Sequence, residues 1–456
     1  MSVDYDLVVI GNTSAGRYAA ETAAHLQARV ALVEQVSNAT ADPPMGMEVL
    51  WPWILSQRVA QQDIRSSLEI AGVDVVAGAG QFCRRGRSAS RSPLTFGVEN
   101  RVLTARTYLI ATGSRPMQSE ISGLSQVPYW TADQLSTAKL AYHHDHQTLP
   151  RRWAILGSDP TGIELAQTLV QYGCEVYLVV GGVRILPSED LTAVGWVQAQ
   201  LEAEGVQILA QTRIQQVQAV AGEIKVSLNS QAPPDTTLGT ASSLTVDALL
   251  LAMERQPNIE SLGLEAVGVR WQQHGLRLNA KLQTTHPRIY ACGDGMGGYQ
   301  SEPVAHYEAS IALRNALFWP LFTADYQGIP WTIRTHPPLA RVGLSEAQAR
   351  SRWGSEVRIT QQSGSNTGFC KLIAHPRGEI LGVYLVGATA AELITTVAMA
   401  IQQRLKVGAI AHLMAPPETL AALLSQTARE WQQQQLQQQP WLQDGLAGFF
   451  ALRRTW

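Results

Sequence analysis

Cysteine is scarce in this chain of 456 residues, which contains only four of them. Cys83, Cys174, Cys292 and Cys370 lie far apart, and no two of them form a closely spaced pair. This spacing does not indicate a disulfide framework. It predicts a reducing compartment and thiols that are buried for structural reasons.

Other features are missing as well. The formal net charge of −2 gives no sign of a nucleic-acid-binding surface or an acidic tail. No apolar run is long enough to span a bilayer, and the opening "YDLVVIG" lacks the basic region and apolar core of a signal peptide. With 45% hydrophobic and 16% charged residues, the composition is typical of a globular protein. We therefore expect a cytoplasmic protein with about two to four domains.

Two segments share one pattern of strand, glycine turn, helix and strand. The first reads "YDLVVIGNTSAGRYAAETAAHLQARVALVEQ" and its second strand ends in Glu34. The second reads "RWAILGSDPTGIELAQTLVQYGCEVYLVVGG" and runs from Arg152 to Gly182. Continuous Val, Ile and Leu strands on either side of a helix indicate a parallel sheet covered on both faces. The repetition predicts an α/β protein with two nucleotide-binding domains.

The remaining segments predict smaller elements. "FGVENRVLTARTYLIATGSRP" reads as a β-meander returning to a buried strand, and "IKVSLNS" with "VDALLLAMERQPN" as a further meander and its closing strand. The pattern changes from about Ile329. There "GFCKLIAHPRGEILGVYLVG" predicts an antiparallel strand pair, and "AAELITTVAMAIQQRL" predicts an amphipathic helix. The tail is Gln-rich and then aromatic.

The order of these pieces resembles that of the FAD-dependent pyridine nucleotide–disulfide oxidoreductases, such as dihydrolipoamide dehydrogenase, glutathione reductase and mercuric reductase. The resemblance covers roughly residues 4–430. Its motifs occur in family order and at family spacing: the glycine turns at 11–16 and 157–162, "ATGSRP" at 111–116, "RQPN" at 255–258 and "IYACGD" at 289–294.

The resemblance implies a fold of three parts. They are two Rossmann-like dinucleotide-binding domains, of the FAD and NAD type, and an α+β C-terminal dimerisation domain, so a homodimer is expected. The implied boundaries are 1–150 with 270–325 for the discontinuous FAD-binding domain, 151–269 for the NAD(P)-binding-like domain, 329–434 for the dimerisation domain and 435–456 for the tail.

The resemblance also implies an FAD site at the first glycine turn. In the family, the pyrophosphate lies on backbone N–H groups at the start of the helix, and an acid such as Glu34 holds the adenosine ribose. Thr13, however, replaces the middle glycine and would crowd the phosphates. We expect bound FAD, and the alternative is a domain that kept its packing and lost its ligand. The implied cofactor-binding residues are Gly11, Ser14, Ala15, Gly16, Glu34, Ala111, Thr112, Gly113, Gly293 and Asp294.

The redox dithiol of the family is not present at its expected place. There the family carries Cys-x4-Cys, and alignment on Pro52 puts Met45 and Leu50 at the two cysteine positions. Neither side chain forms a thiolate, so we predict that thiol–disulfide exchange does not occur. The preceding Gly-Gly, which would help to hold the FAD pyrophosphate, is Asp42-Pro43, which brings a like charge and removes an N–H group.

Three positions of the nicotinamide site depart from the family pattern, and each change disfavours binding of the cofactor. Asp159 replaces the second glycine of the turn, Glu254 replaces the glycine before "RQPN", and Val180 stands where an NAD enzyme has an acid. Two carboxylates near a dianionic linker oppose binding, although Arg184 could compensate in part. We expect an unused pocket, and retained NAD(P)H binding is the alternative. The matching contacts that remain are Gly157, Gly162 and Glu164.

The second part of the family's active site, a His and a Glu from the partner subunit, is replaced too. The stretch "LMAPPETLAALL" puts Pro416 at the histidine position and Ala421 at the glutamate position. Proline cannot serve as a general base. His412 is either a substitute base or a solvated helix residue. The sequence therefore identifies no catalytic residue.

Two smaller features have open interpretations. "HHDH" at 143–146 has metal-ligand side chains, but its contiguous spacing in a linker indicates a solvated loop, and we predict no metal site. The tail predicts either a helix folded back on the dimer or an interfacial membrane anchor. Its apolar and basic residues are Trp441, Leu442, Leu446, Phe449, Phe450, Arg453 and Arg454.

Two hypotheses for function follow from these patterns. In the first, the protein is a flavoprotein oxidoreductase that passes electrons from an unknown donor to a non-disulfide acceptor, such as a quinone. In the second, it is a non-catalytic dimeric scaffold or a regulatory binding protein. An ordinary dihydrolipoamide dehydrogenase is not expected, because Met45, Leu50 and Pro416 lack the required chemistry.

Overall fold

The chain folds into two compact units. One consists of Met1–Ser119 with Met253–Ala324, and the other of Glu120–Ala252 with Asp325–Trp456. No helix in the described part of the chain is long and apolar enough to cross a membrane. The computed structural model describes residues 3–35, 64–84, 94–117, 120–132, 134–135, 149–231, 243–253, 255–298, 301–364, 367–437 and 440–455.

The described residues form 24 strands. They are β1 (Tyr5–Ile10), β2 (Val30–Glu34), β3 (Asp74–Ala77), β4 (Gly80–Arg84), β5 (Leu94–Val98), β6 (Arg101–Ile110), β7 (Ser114–Pro116), β8 (Trp130–Thr131), β9 (Arg152–Leu156), β10 (Glu175–Val179), β11 (Gln207–Leu209), β12 (Thr212–Val220), β13 (Glu223–Ser230), β14 (Ser243–Val246), β15 (Ala248–Leu251), β16 (Arg255–Pro257), β17 (Trp271–Gln272), β18 (Gly275–Leu276), β19 (Ile289–Ala291), β20 (Trp331–Ile333), β21 (Leu339–Gly343), β22 (Arg358–Gly364), β23 (Gly368–Ala374) and β24 (Ile380–Val386).

The helices follow the same order, and residues 64–70 are helical as well. They are α1 (Ser14–His25), α2 (Pro160–Gln171), α3 (Leu191–Glu204), α4 (Glu302–Leu317), α5 (Glu346–Trp353), α6 (Ala390–Gln402), α7 (Val407–Ala411), α8 (Leu420–Gln437) and α9 (Pro440–Arg453). Short 3₁₀ helices cover Leu124–Gln126, Glu260–Leu262, Leu264–Val267, Asp294–Met296 and Gly354–Glu356.

The first unit is built on a mainly parallel sheet. Strands β3, β2, β1 and β6 lie side by side in that order, β19 pairs parallel with β6, and β5 and β4 continue the sheet antiparallel. Along β1, Leu7 and Val9 pack in one core cluster with α1 and α4, whereas Val8 and Ile10 pack in the cluster on the opposite face. The strand reads as a continuous apolar run because both of its faces are buried.

The second unit contains the second copy of the strand–turn–helix–strand pattern and the C-terminal part of the chain. Strands β11, β10, β9, β15 and β8 form a parallel sheet, and β12, β13 and β14 form an antiparallel one. In the C-terminal part, β20, β21, β24, β23 and β22 form an antiparallel sheet, with α6 packed against β21 and β24. The predicted strand pair and amphipathic helix are both present. The fold class predicted from the sequence is confirmed.

Strand pairing accounts for where two boundaries between the compact units fall. Residues 253–269 lie in the first unit because β16 pairs antiparallel with β7. The described residues between 120 and 150 lie in the second unit, where β8 pairs parallel with β15. Strand pairing, which joins segments far apart in the chain, decides both assignments.

Local capping sets the ends of several helices. Asp190 accepts hydrogen bonds from two backbone N–H groups at the start of α3, and Gly205 ends that helix in the left-handed conformation. Ser345 and Gln348 form a reciprocal capping box at the start of α5. These caps satisfy backbone groups that a helix leaves unpaired at its termini.

Candidate functional site

The first glycine turn joins β1 to α1 in a very close approach of backbones. Gly11 has φ +113, and a Cβ atom on it would lie 2.3 Å from the carbonyl oxygen of Ala111. A Cβ atom on Gly16 would lie 2.2 Å from the carbonyl oxygen of Gly11. Only glycine fits at these two positions. The turn, the start of α1 and the segment after β6 are therefore held together as one small surface.

Thr13, at the position of the middle glycine, is the N-cap residue of α1. Its Oγ1 accepts a hydrogen bond from the Gly16 N–H group at 3.2 Å and donates one to the Ala111 carbonyl at 2.9 Å. Its methyl group points toward Gly113, where an added Cβ atom would lie 2.9 Å from Thr13 Cγ2. The side chain thus occupies one of the N–H groups that a bound phosphate would use.

Two further N–H groups at the start of α1 remain available. Ser14 and Ala15 are its first two residues, whose N–H groups no helix can satisfy internally. Among the described residues, no partner contacts either group. Together with the helix dipole, they form a surface with a preference for anions.

Glu34 lies at the end of β2, where the resemblance puts the residue that holds the adenosine ribose. Its carboxylate accepts a hydrogen bond from the Asn12 side chain, and Arg65 Nη1 lies 3.9 Å from its second oxygen. The side chain of Glu34 is 27% exposed. It is therefore positioned within the site and retains a solvent-accessible part.

The segments at Thr112 and Gly293 complete this surface. Thr112 is buried, and its Oγ1 has no hydrogen-bond partner among the described residues. A Cβ atom on Gly295 would lie 3.3 Å from this oxygen. Ser114 Oγ donates to Asp294 Oδ2 at 3.3 Å, and the Gly293 N–H donates to the buried carboxylate of Glu308 at 2.8 Å. All ten residues that the sequence assigned to FAD lie in this unit, on segments around the turn.

These features fit a dinucleotide cofactor. The glycine positions keep side chains out of the turn, the N–H groups of Ser14 and Ala15 are free of protein partners in the described chain, and the Thr112 hydroxyl is buried without a partner. A buried polar group without a partner calls for a ligand or a water molecule. The fit is reduced by Thr13, because its hydroxyl already holds the Gly16 N–H group.

Glu302 and His306, which the sequence analysis did not single out, lie beside Ser14. The Ser14 hydroxyl donates to Glu302 Oε1 at 2.5 Å, and Ser14 Oγ lies 2.7 Å from His306 Nε2. The His306 ring stacks on Tyr18, with centroids 5.1 Å apart. The i, i+4 spacing of Glu302 and His306 in the helix after "IYACGD" was a signal that could have found them.

The second glycine turn, in the other unit, joins β9 to α2. Gly157 has φ +126, and a Cβ atom on Gly162 would lie 2.6 Å from the Ala252 Cβ. Asp159 is the N-cap residue of α2. Val180 is fully buried and apolar, so it offers no acceptor to a ribose hydroxyl. The turn therefore has the geometry of a dinucleotide site, but it lacks the glycine that Asp159 replaces and the ribose-binding acid that Val180 replaces.

The two charged side chains near this turn are engaged elsewhere within the unit. Arg184 Nη2 donates to the carbonyl groups of Pro187 and Glu189, both at 2.9 Å, so it holds its own loop. Glu164 Oε1 accepts a hydrogen bond from the Arg334 N–H group at 2.8 Å, and burial raises the pKa of its carboxyl. Glu254 lies outside the described residues.

The comparisons with known proteins agree with this architecture. Residues 5–309 match the family model described as pyridine nucleotide-disulphide oxidoreductase, and residues 329–425 match the dimerisation domain of that family. The chain belongs to this family. The resemblance that the sequence motifs indicated is thereby confirmed, and the presence of a dimerisation domain is established.

Several curated members of the family are similar to this one. Mercuric reductase from Staphylococcus aureus is 28% identical over an alignment of 459 residues, and the alignment covers 92% of this chain and 81% of that protein. A dihydrolipoyl dehydrogenase from Bacillus subtilis (strain 168) is 28% identical over 386 residues, which cover 81% of this chain and 78% of that protein.

Solved structures show the same fold. The copper(II) complex of the HOCl-induced flavoprotein disulfide reductase RclA from Escherichia coli has a TM-score of 0.74 at 22% identity and covers 94% of this chain and 99% of its own. LpdA from Mycobacterium tuberculosis has a TM-score of 0.74 at 22% identity, with 93% and 99% covered. At such identities, the likeness is evidence for the fold alone.

In this member of the family, all four cysteines are free thiols in the structure. Cys174, Cys292 and Cys370 are buried, and Cys83 is partly exposed. Burial raises the pKa of the three buried thiols, that of Cys370 to about 12. A thiol with a raised pKa is a poor nucleophile near neutral pH. Of the described residues, no group of three His, Cys, Asp or Glu side chains is placed to bind a metal ion.

The remaining predicted positions are placed as follows. His412 Nδ1 lies 2.6 Å from the Gly408 carbonyl oxygen at the end of α7, and the Pro416 carbonyl accepts a hydrogen bond from Thr419 Oγ1 at 2.8 Å. The positions that lie outside the described residues are Asp42, Pro43, Met45, Leu50 and the "HHDH" stretch at 143–146.

Proposed function

We propose that this family member binds FAD and transfers electrons to an acceptor that is not a disulfide. The observation that carries the proposal is the surface around the first glycine turn. There the free N–H groups of Ser14 and Ala15, the buried Thr112 hydroxyl and the Glu34 carboxylate match the phosphate, flavin and ribose parts of a dinucleotide. FAD would supply the redox centre there.

The chain's own residues would bind and orient that group. The N–H groups at the start of α1 would hold the pyrophosphate, and Glu34 would accept from the ribose hydroxyls as it now accepts from Asn12. Asp294, which Ser114 already contacts, would approach the ribityl chain or the phosphates. The ten implied residues thus act as binding groups, and none of them acts as a proton donor to a substrate.

A disulfide is not proposed as the acceptor. Met45 and Leu50 occupy the positions of the family's cysteine pair, and Pro416 and Ala421 those of its His and Glu. The buried thiols elsewhere in the chain have raised pKa values and do not replace the pair. An acceptor that takes electrons directly from the flavin, such as a quinone, needs neither element.

The electron donor is proposed to be something other than NADH or NADPH bound at the second turn. Asp159 brings a carboxylate to the N-cap position of the helix where the pyrophosphate would lie, and Val180 is buried. Arg184, which was a candidate for compensating the charge, holds its own loop. Retained nicotinamide binding is the competing outcome, and the following experiment tests it.

The visible spectrum of the purified full-length protein tests the proposal. We expect a flavin absorption band and release of FAD on denaturation, and no bleaching of the band when NADH or NADPH is added without oxygen. A chemical reductant followed by a soluble quinone should bleach and then restore the band. Purified protein that remains colourless, even after incubation with FAD, would contradict the proposal.

A second function is favoured by one specific observation. Thr13 satisfies one N–H group of the helix N-terminus, that of Gly16, with its own hydroxyl, as expected for a turn that no longer holds a phosphate. In that case the protein is a non-catalytic dimeric scaffold or a regulatory binding protein. The two functions are distinguished by dye reduction: a flavin that turns over with an artificial donor and a quinone excludes the scaffold alternative.

We also propose that the protein is a cytoplasmic homodimer whose tail contacts a membrane surface. In α9, Leu446, Phe449 and Phe450 are between 43% and 57% exposed, and Arg453 follows them at the end of the helix. Apolar side chains with adjacent basic residues favour an anionic lipid surface. Vesicles of mixed neutral and anionic lipids should sediment the full chain but not a chain ending at residue 437. Equal sedimentation of the two would refute the contact.

A further inference from the structure

We propose that Glu302 weakens cofactor binding at the first glycine turn, because its carboxylate competes with the cofactor diphosphate for Ser14. This inference rests on the proposed function, since it concerns how tightly FAD is held. The residues involved are Ser14, Glu302 and His306, all in the same compact unit.

The hydrogen bonds in this cluster have a definite direction. The single hydrogen of the Ser14 hydroxyl points to Glu302 Oε1, 2.5 Å away. Ser14 Oγ therefore accepts the hydrogen bond from His306 Nε2 at 2.7 Å, so this ring nitrogen carries a proton. Without a cofactor, the hydroxyl beside the free N–H groups is thus already paired with a carboxylate.

A diphosphate on the start of α1 would compete with this arrangement. Phosphate oxygens are acceptors only, so the Ser14 hydroxyl must leave Glu302 to donate to them. The carboxylate then remains a short distance from a group of the same sign. Because the Glu302 side chain is 67% exposed, solvent screens this repulsion, and we expect it to weaken binding by about fivefold rather than abolish it.

His306 has the opposite effect. The His306 side chain is 38% exposed, and its Nε2 lies within hydrogen-bonding distance of Ser14 Oγ, so its N–H can donate to a phosphate oxygen once Ser14 turns. The ring is held in place by its stacking on Tyr18. Glu302 therefore weakens binding of the diphosphate, whereas His306 strengthens it.

The test uses the full-length protein saturated with FAD and diluted stepwise. Released flavin is followed by its fluorescence, which gives the dissociation constant. We expect Glu302→Gln to bind FAD about fivefold more tightly than the native chain, and His306→Leu, which removes the N–H donor, to bind it about tenfold more weakly. The matched control is Glu21→Gln, which removes the same charge from an exposed position farther along α1 and should leave the constant unchanged.

The outcomes separate this inference from the proposed function. If the native chain binds FAD and Glu302→Gln has the same or a weaker affinity, the inference is overturned and the proposed function stands. If Glu21→Gln tightens binding as much as Glu302→Gln, net charge explains the effect and the inference is overturned as well. If neither the native chain nor Glu302→Gln binds FAD, the proposed function fails and the inference fails with it.

Discussion

Replacing Thr13 with glycine should lower the stability of the protein and raise its affinity for FAD. Thr13 caps α1 and bonds to the Ala111 carbonyl, so it stabilises the turn in the absence of a ligand. The same hydroxyl occupies the Gly16 N–H group, and its methyl group points toward Gly113. The substitution therefore affects folding and binding in opposite directions.

The expected magnitudes follow from these contacts. Loss of the threonine cap to glycine costs a few tenths of a kcal/mol, loss of the hydrogen bond to Ala111 about 1 kcal/mol, and added backbone freedom about 0.5–1 kcal/mol. The free energy of unfolding should thus fall by about 2 kcal/mol. One recovered N–H group that bonds to a charged phosphate should tighten FAD binding by about tenfold.

Denaturant unfolding of the flavin-free chain measures the first effect, and fluorescence titration with FAD measures the second. Thr13→Ser is the matched control, because it keeps the hydroxyl and removes only the methyl group. Its stability should be close to that of the native chain, and any gain in affinity would then be due to the methyl group. Weaker FAD binding by Thr13→Gly, measured on folded protein, would refute the reasoning.

Three more predictions concern the remainder of the chain. Lys371→Met should lower the free energy of unfolding by about 3–5 kcal/mol in thermal or denaturant melts, because the buried Asp190 loses its ion-pair partner, now 2.6 Å away at Lys371 Nζ, and keeps only the two N–H groups of the α3 cap. Burial raises the pKa of Glu346, but its bonds to Lys371 and Arg350 outweigh that and lower it. Ionised Glu346 therefore stabilises the fold at pH values above the carboxyl's ordinary pKa of 4.5. This contribution to the free energy of unfolding should disappear as the pH falls through the lowered pKa of Glu346. A thiol reagent at neutral pH should label Cys83 in the native chain before the other cysteines, and equal rates for all four would contradict their burial.

The sequence was sufficient to predict the parallel sheets and the family. Strand β1 is buried on both faces, so its residues are continuously apolar, and this pattern is visible without any structure. Gly11 and Gly16 are required by local backbone geometry, so their spacing was informative too. The boundary between the two compact units at 252–253 and the pairing of β16 with β7 were not predictable in the same way, because they depend on contacts between distant segments.

What the sequence determined by itself is the chemistry that each position allows: Met45 and Leu50 form no dithiol, Pro416 provides no base, and Thr13 brings a hydroxyl into the turn. Only the tertiary structure decided which distant partners the described side chains contact. It brought the Ala111 carbonyl to the Thr13 hydroxyl, and it brought Glu302 beside Ser14 from a helix nearly 300 residues later in the chain. The physical reason is that residue type sets which bonds a side chain can make, whereas the packing of distant elements sets which partner it meets.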